Sequence, residues 1–324
     1  MRAAWYEKQG PPRDVLVVGT MPDPSVGAGE VCIRVSASGI NPGDVKKRQD
    51  TFGLGMPYPR IIPHSDGAGE IDQVGEGVSS EWIGQRVWCF GAQSYRPFGT
   101  AAEFTVVPVH NVALLPASIS SEQGACLGIP GITAHRAVHI QGPVAGRTVL
   151  IQGAGGSVGV CAVALARFAG AIVIGTVRSS SEEETARSAG AHHVLLNDSE
   201  LGARLKSIAS DGVDHIVEVA FAANIDKDVE MLKQGGSIAT YATDKAPATI
   251  PFWKLVFQNI SVHFLGSDDF PIEAKIAAAR DLNGALEEGW SGFPIAERVP
   301  LADIAHAHEL VEHPTRSGRV VITI

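Results

Sequence analysis

The sequence predicts an α/β protein in which a doubly wound parallel sheet follows a β-rich segment, and three observations support this. Short apolar strand candidates alternate with helical segments from about residue 121 onward. The first 120 residues instead contain short strand candidates separated by frequent Gly and Pro. A glycine-rich turn joins one buried strand to the next helix. Buried parallel strands need helical crossovers, so the alternating part is expected to form the parallel sheet.

Composition and charge narrow the classes of protein to consider. The chain has 324 residues, of which 45% are hydrophobic and 19% charged, a globular composition long enough for about two domains. The formal net charge of -9 disfavours nucleic acid and anionic membrane surfaces as partners. No apolar run approaches the roughly 20 residues of a membrane span, and the N-terminus lacks the apolar core of a signal peptide. We therefore expect no association with a membrane.

The cysteines indicate a reducing compartment. Cys32, Cys89, Cys126 and Cys161 are widely separated and form no CxxC motif, so neither a disulfide framework nor a structural zinc site is expected. Cys126 and Cys161 lie in apolar stretches that are typical of a core. The sequence therefore predicts a cytoplasmic protein.

Strands dominate the predicted elements of the first segment. The expected strands cover residues 1–7, 31–35, 67–74 and 86–90, each bounded by turn residues.

The second segment alternates strands and helices. The predicted strands cover residues 149–152, 171–176, 194–196, 215–219, 237–241 and 260–265. The predicted helices cover residues 134–140, 158–168 and 181–189, and Ser181 and Glu184 are placed as a capping box of the last one. After about residue 268, helices at 272–288 and 301–313 and a strand at 319–324 form a tail. This tail is too small for a separate domain, and we expect it to pack on the β-rich segment.

The strongest motif is the glycine-rich turn after strand 149–152. The glycines allow a pyrophosphate to approach the backbone and allow the helix to pack closely on the strand. The helix N-terminus supplies N–H donors and positive potential to the phosphates. The expected cofactor-binding residues are Ala154, Gly155, Gly156, Ser157, Val158 and Gly159. A tight turn without a ligand is the alternative, which the repeated βα units disfavour.

The end of the second strand predicts which nicotinamide cofactor is used. An acidic residue there would bind the ribose 2′-hydroxyl of NAD, but the strand ends in Thr176, Val177, Arg178 and Ser179. Arg178 and Ser179 are suited to a 2′-phosphate, and the nearby Glu182 suits the first turn of a helix. We therefore predict NADP(H). A solvated loop arginine is the alternative for Arg178.

Five stretches together resemble a known family. They are Gly39-Ile40-Asn41-Pro42, residues 63–69 (PHSDGAG), residues 128–134 (GIPGITA), the turn at 153–159 and Gly190-Ala191-His192. In order and spacing they are similar to the zinc-independent quinone oxidoreductases (ζ-crystallin-like) of the medium-chain dehydrogenase/reductase superfamily. The resemblance runs from the first strand to the last.

The resemblance implies a divided architecture. A GroES-like catalytic domain would comprise residues 1–121 with 268–324, and a Rossmann dinucleotide-binding domain would comprise residues 122–267. The active cleft is expected between them. Relatives commonly form homodimers through the last Rossmann strand, here near residues 259–266.

The resemblance also implies zinc-independent chemistry. Zinc alcohol dehydrogenases carry metal ligands where this chain has Asn41, Ser65 and Ile129, and only their carboxylate is matched, by Asp66. That set of residues is a poor zinc site. Without a Lewis acid the substrate should be a conjugated acceptor, in which the developing charge is delocalised.

The resemblance assigns the substrate side of the site. Asn41 would lie beside the nicotinamide as a cofactor-binding residue and donate its amide to a substrate oxygen, with a structural Asn-Pro turn as the alternative. Phe52, Ile129 and Gly131 would line the substrate pocket, and the missing side chain of Gly131 should enlarge it. For Phe52 the alternative is a buried loop aromatic.

Further cofactor contacts are also implied by the resemblance. Thr133 would lie near the nicotinamide, with a threonine at the start of a helix as the alternative, and Asn197 would lie near the adenosine. Arg319 would approach the cofactor, with an arginine on a surface strand edge as the alternative. Backbone near two strand ends would cover the far side, namely Tyr241, Ala242 and Thr243, and Phe264, Leu265 and Gly266.

One possible metal pair stands apart from this site. His135 and His139 have the i,i+4 spacing that two ligands on a helix use, but the sequence offers no evident third ligand, so no metal is predicted.

The resulting hypothesis is an NADPH-dependent reductase that transfers hydride, or single electrons, to a quinone or other conjugated carbonyl. The alternatives are a 2-enoyl thioester or enone double-bond reductase and, from another class, a non-catalytic NADPH-binding structural or RNA-binding protein. The negative net charge disfavours RNA binding.

Overall fold

The computed structural model describes residues 1–324, and its strands form three sheets. The chain divides into two units. The first contains residues 1–130, 271–280 and 293–324, and the second contains residues 131–270 and 281–292. These limits differ from the predicted ones in three places, at 122–130, at 268–270 and at 281–292.

Packing within each unit explains the two longer differences. A Cβ on Gly39 would lie 2.0 Å from the carbonyl oxygen of Ala125, so residues just after 121 pack directly on a strand of the first unit. In the second unit, the Leu282 side chain fills the space beside Gly131. The expectation that the whole tail packs on the β-rich segment is therefore wrong for residues 281–292.

The N-terminal part contains seven strands and three helices. The strands are β1 (Arg2–Trp5), β2 (Val17–Thr20), β3 (Glu30–Gly39), β4 (Asp66–Val74), β5 (Arg86–Cys89), β6 (Phe104–Pro108) and β7 (Val112–Leu114). The helices are α1 (Pro12–Val15), α2 (Pro42–Arg48) and α3 (Ser121–Gly124). The four predicted strands are present, with β1 shorter than expected, and β2, β6 and β7 were missed.

The middle part alternates helices and strands as predicted. Its helices are α4 (Gly128–His139), α5 (Ser157–Phe168), α6 (Ser180–Ser188), α7 (Leu201–Ile208), α8 (Phe221–Met231) and α9 (Phe252–Phe257). Its strands are β8 (Thr148–Ile151), β9 (Ile172–Val177), β10 (His193–Leu196), β11 (Val213–Glu218), β12 (Leu232–Thr240) and β13 (Ser261–Phe264). The expected capping box at Ser181 is wrong, because the helix begins one residue earlier and Ser179 is its N-cap.

The C-terminal part contains α10 (Ile272–Glu287), β14 (Ile295–Pro300), α11 (Ile304–Glu312) and β15 (Arg319–Thr323). Strand β14 was missed because exposed polar residues interrupt its apolar pattern. It pairs in parallel with β15, which in turn pairs antiparallel with β3. The last strand is therefore internal to its sheet.

The first unit is built on a seven-stranded sheet with the order β14-β15-β3-β4-β5-β7, to which β6 is added beside β3. Strand β3 carries buried Val31, Ile33 and Val35 into one apolar cluster with Ile71 of β4. A second cluster, which includes Ile40 and Ile322, lies under α11. The alternation of buried and exposed positions in β3 is the pattern of an antiparallel strand with one solvated face.

The second unit is built on a six-stranded parallel sheet with the order β10-β9-β8-β11-β12-β13. Leu150, Ile174, Ile216 and Ile238, one from each of four neighbouring strands, are buried in its core. This strand order is that of a doubly wound dinucleotide-binding sheet, so the predicted fold class is confirmed. No helix of the chain has both the length and the apolar character needed to cross a bilayer.

Candidate active site residues in the two units

The glycine-rich turn lies at the carboxyl end of β8, where the strand order of the parallel sheet reverses between β8 and β11. Gly153 has a φ of 68°, which favours glycine, and Gly156 is the N-cap of α5. A Cβ on Gly159 would lie only 2.1 Å from the Gly153 carbonyl oxygen, so the helix packs directly on the turn. The first N–H groups of α5 therefore point out of a turn that is suited to an anion.

The turn is tied to the neighbouring strand β9. The backbone N–H of Ala154 donates to the Thr176 carbonyl at 2.8 Å, and that of Gly153 donates to the Thr176 hydroxyl at 3.2 Å. Ser157 and Val158 open α5 directly after the turn. The predicted set from Ala154 to Gly159 thus forms one rigid strand-turn-helix element.

Two further predicted positions follow β9. The Arg178 side chain is 83% exposed and its guanidinium lies 3.0 Å from the Glu182 carboxylate. The other oxygen of Glu182 accepts the Arg178 backbone N–H at 2.9 Å. Ser179 contacts the Ser181 hydroxyl at 2.8 Å. Arg178 is therefore an exposed cation already paired with a carboxylate, which an incoming phosphate has to share or displace.

The other predicted cofactor contacts lie at the same edge of the sheet. Asn197 follows β10 and its N–H donates to the Val177 carbonyl at 2.8 Å. Leu265 follows β13 and its N–H donates to Thr240 at 2.9 Å. Tyr241, Ala242 and Thr243 follow β12 at this edge, and Phe264 ends β13 and is followed by Leu265 and Gly266. Parallel strands bring all their carboxyl ends to one edge, so these positions lie at the same edge of the sheet as the turn.

A buried polar network below the turn was missed. The Thr176 hydroxyl donates to the Gln152 side chain at 2.6 Å, and the Gln152 amide donates to Asp228 at 2.9 Å. Burial, together with the neighbouring Glu218 carboxylate, raises the pKa of Asp228 well above its ordinary value. The available signal was Glu218 itself, an acidic residue directly after the apolar pair Ile216 and Val217 in a predicted buried strand.

In the first unit, a second set of predicted residues converges on Asp66. The Asn41 amide donates to one Asp66 oxygen at 2.6 Å, and the backbone N–H of Ile129 donates to the other at 2.8 Å. The Arg319 guanidinium donates to the side-chain oxygen Oδ1 of Asn41 at 2.9 Å. A Cβ on Gly128 would lie 2.1 Å from Asp66, so this close approach requires glycine. Asn41, Ile129 and Arg319 are thus brought together by one carboxylate.

Burial dominates the electrostatics of this cluster. Asp66 is fully buried, and the loss of solvation raises its pKa to about 7 although its Asn41 and Ile129 hydrogen bonds act in the opposite direction. Arg319 is 4% exposed, so the alternative of a surface strand-edge arginine is wrong. Its guanidinium also lies 5.8 Å from the centre of the Phe293 ring. The Arg319 guanidinium therefore supplies a positive charge to the cluster.

The cluster is a poor fit for zinc. Both Asp66 oxygens accept hydrogen bonds, and the Asn41 oxygen accepts from Arg319. Ser65 and Ile129 occupy positions at which zinc alcohol dehydrogenases are expected to carry metal ligands. Ser65 offers a hydroxyl and Ile129 an aliphatic side chain, and neither is a usual zinc ligand. A nearby guanidinium would also repel a metal cation.

The structure also gives the exposure or the packing of three other residues that were predicted to line the site. Phe52 is 55% exposed, which rules out the alternative of a buried loop aromatic. A Cβ on Gly131 would lie 2.4 Å from Leu282, so the expectation that Gly131 leaves an open space is wrong, because a side chain from α10 already fills it. Thr133 is 5% exposed within α4.

A third side chain with a donor atom of the kind that binds metals lies beside the histidine pair. The donor atoms of His135, His139 and Asp281 all lie within 4.8 Å of one another, and all three residues belong to the second unit. Asp281 could not be recognised from the sequence because it lies 146 residues from His135.

Family profiles match both parts of the chain. The profile described as an alcohol dehydrogenase GroES-like domain matches residues 27–117, and the one described as a zinc-binding dehydrogenase matches residues 157–278. The chain is 32% identical to the quinone oxidoreductase of Rattus norvegicus over 337 residues, which covers 100% of this chain and 98% of that protein. It is 31% identical to that of Lama guanicoe over 328 residues, with coverage of 100% and 98%.

Solved structures resemble the whole chain. A mycobacterial quinone oxidoreductase superposes with a TM-score of 0.87 at 25% identity, with full coverage of both chains. A mycobacterial protein solved in complex with NADPH superposes with a TM-score of 0.85 at 25% identity, again with full coverage. A 2-haloacrylate reductase superposes with a TM-score of 0.83 at 26% identity and covers 100% of this chain and 99% of its own.

Proposed function

Because the chain belongs to the quinone oxidoreductase (ζ-crystallin-like) family of the medium-chain dehydrogenase/reductase superfamily, we propose that it reduces a quinone or another conjugated carbonyl with NADPH and without zinc. One observation carries the zinc-independent part of this proposal. The carboxylate at the position of a metal ligand, Asp66, is held by Asn41 and Ile129 instead. Both Asp66 oxygens already accept hydrogen bonds, and Arg319 supplies a positive charge to the cluster.

The residues around the glycine-rich turn would hold the cofactor. The first N–H groups of α5 would bind the pyrophosphate, and Arg178 with Ser179 would face the 2′-phosphate. Thr133, Asn197 and the residues after β12 and β13 are proposed to bind the remainder. When bound, the nicotinamide supplies a hydride at its C4 atom, and the protein contributes orientation and exclusion of water.

Asn41 is proposed to donate to the acceptor oxygen. Its amide group carries two N–H bonds, one of which Asp66 accepts, and its oxygen is fixed by Arg319. The amide is therefore held in one orientation before substrate binds, which is the condition for stabilising a developing oxyanion. A conjugated acceptor spreads that charge, so a neutral donor can suffice where a simple carbonyl needs a Lewis acid. Phe52 and Ile129 are proposed to contact the same substrate.

Reduction of an activated C=C bond is the second candidate. The similarity to a 2-haloacrylate reductase supports it, since that structure covers the whole chain at 26% identity. The acceptor would then be an enone, an enoyl thioester or a related conjugated acid.

A panel of acceptors tests these proposals. Purified protein is assayed with NADPH and with NADH against quinones, enones, enoyl thioesters and simple aldehydes, before and after dialysis against a chelator. We expect turnover of a conjugated acceptor with NADPH that survives chelation. Turnover of aldehydes alone, or activity lost on chelation and restored by zinc, would contradict the proposal.

Substitution of Asn41 tests its role. Asn41→Ala should lower kcat/KM by about 100-fold or more, the usual loss of one oxyanion donor. Ser65→Ala is the matched control, because Ser65 is also buried and adjoins Asp66 but has no proposed role. Equal losses in both variants would show that Asn41 acts only through packing.

We also propose a homodimer formed through β13. This strand is at the edge of its sheet, and its Phe264 is 71% exposed, while Trp253 and Phe257 of the preceding helix α9 are 65% and 74% exposed. Edge strands and exposed apolar side chains are suited to pairing with a second copy. Light scattering should give the mass of two chains, and Trp253→Glu should shift it toward one chain.

A further inference from the structure

Two helices of the second unit bring together three side chains that commonly bind metal ions. His135 and His139 lie one turn apart on α4, with ring centroids 4.6 Å apart. Asp281 comes from α10, and its carboxylate lies 3.0 Å from Nε2 of His135. This is the one place in residues 1–324 where the donor atoms of at least three His, Cys, Asp or Glu residues converge in this way.

The spacing of the donor atoms is close to that of a bound transition metal. Zinc bonds of about 2.0–2.1 Å in a tetrahedron place neighbouring donors about 3.3 Å apart. The pair formed by His135 and Asp281 is close to this separation, at 3.0 Å. No two of the three donor atoms lie more than 4.8 Å apart.

The partial burial of the groups also suits a metal. The Asp281 side chain retains 22% exposure and that of His135 retains 9%, so an ion can enter from solvent. Neutral imidazole and carboxylate are the forms that coordinate metals.

We propose that His135, His139 and Asp281 bind one divalent transition-metal ion, with zinc as the preferred ion and water in the fourth position. Two imidazoles favour zinc over magnesium or calcium, which prefer ligand sets made only of oxygen atoms. The site shares no residue with the Asp66 cluster, which belongs to the other unit. The bound ion fastens the second half of α10 to α4. Its role is therefore to stabilise the second unit and not to take part in hydride transfer.

The competing explanation is a metal-free hydrogen bond between His135 and Asp281. His139 separates the two explanations, because it is a ligand in one and uninvolved in the other. His139→Ala removes a proposed ligand but leaves the His135–Asp281 pair in place. Asp281→Asn keeps the size of the side chain but removes the negative charge. His313→Ala is the control, since His313 is an exposed histidine outside the set.

The test uses full-length protein without a histidine tag, freed of metal by dialysis against a chelator. Zn²⁺ is titrated by calorimetry, Co²⁺ is used to record the visible spectrum, and thermal unfolding is measured with and without Zn²⁺. We expect one Zn²⁺ per chain, a tetrahedral Co²⁺ spectrum and a higher Tm with zinc. His139→Ala and Asp281→Asn should each weaken binding by more than the 10- to 100-fold that loss of an outer-shell partner costs. His313→Ala should bind as the parent does.

The proposal is overturned if the parent protein binds no stoichiometric Zn²⁺, or if His139→Ala binds it as tightly as the parent. Reductase activity of the same samples keeps this outcome separate from the proposed function. The His139→Ala variant should retain activity. If the parent loses activity on chelation while the His139→Ala variant is active before chelation, the activity depends on a metal bound elsewhere. That result would contradict zinc-independent catalysis and leave the proposed site at His139 unaffected.

Discussion

Selectivity for NADPH over NADH should depend on one exposed ion pair. Arg178 follows β9, and its guanidinium lies 3.0 Å from Glu182. We consider two single substitutions, Arg178→Gln and Glu182→Gln, which remove opposite members of this pair. The first removes the proposed partner of the 2′-phosphate, and the second removes the carboxylate that competes with that phosphate. The two variants should therefore change NADPH affinity in opposite directions.

The exposure of Arg178 sets the magnitude. Its side chain is 83% exposed, so the attraction to a phosphate is close to the value in water, about 1 kcal/mol per unit charge at 4 Å. A phosphate monoester carries about 1.5 to 2 negative charges, which gives about 1–2 kcal/mol, or roughly 5- to 30-fold in Kd. Arg178→Gln should weaken NADPH binding by that factor. Glu182→Gln should strengthen it by a smaller factor, because Glu182 is one unit charge.

Fluorescence titration of NADPH and NADH against each variant measures these effects. NADH affinity should change less than about twofold, and the NADPH effect should shrink in high salt because exposed charges are screened. Equal weakening of both cofactors by Arg178→Gln would show that the residue acts on the fold of the turn. An unchanged NADPH affinity would refute the assignment of the 2′-phosphate to Arg178.

Three further predictions concern stability. Gly159→Ala should lower the free energy of unfolding by about 1–3 kcal/mol and weaken NADPH binding, since its Cβ would meet the Gly153 carbonyl oxygen at 2.1 Å. The control is Gly202→Ala on α7, where a Cβ meets nothing within 4 Å. This variant should instead stabilise the fold in the same denaturation assay. Because Asp66 has a folded pKa near 7 and an ordinary value of 3.8, the folded state binds more protons between these pH values, so its contribution to stability should be lost as the pH rises from about 4 to 7. Asp66→Asn should remove that part of the pH dependence, and an unchanged profile would contradict the assignment. Leu282→Ala should cost about 2–5 kcal/mol in chemical denaturation, because the side chain is fully buried, and a loss below 1 kcal/mol would show that the site can collapse.

Local patterns determined much of the second unit. The strand at Thr148–Ile151 has three buried apolar residues after Thr148, the glycines begin after Gln152, and eight residues of the following helix are buried without interruption. Each of these signals spans fewer than 20 residues, so the strand-turn-helix element was predictable. The start of α6 was misplaced because several adjacent serines offer equivalent N-caps.

Contacts between distant residues were not predictable in the same way. Asn41 and Arg319 are 278 residues apart, and only the pairing of β15 with β3 brings the last strand beside the first site residues. The expected opening at Gly131 failed for the same reason, since the side chain that fills it belongs to α10.

The sequence by itself determined the fold class, the alternation of strands and helices along the second segment, the position of the glycine-rich turn and the resemblance to a reductase family. These follow from periodicity and from glycines whose backbone conformations are local properties. Only the tertiary structure decided the partners of the polar groups. It placed Arg319 on Asn41, joined Glu182 to Arg178 and supplied Asp281 to a histidine pair. Such pairings depend on how strands and helices pack, because a buried or paired charge is satisfied by whichever group the fold brings within hydrogen-bond distance.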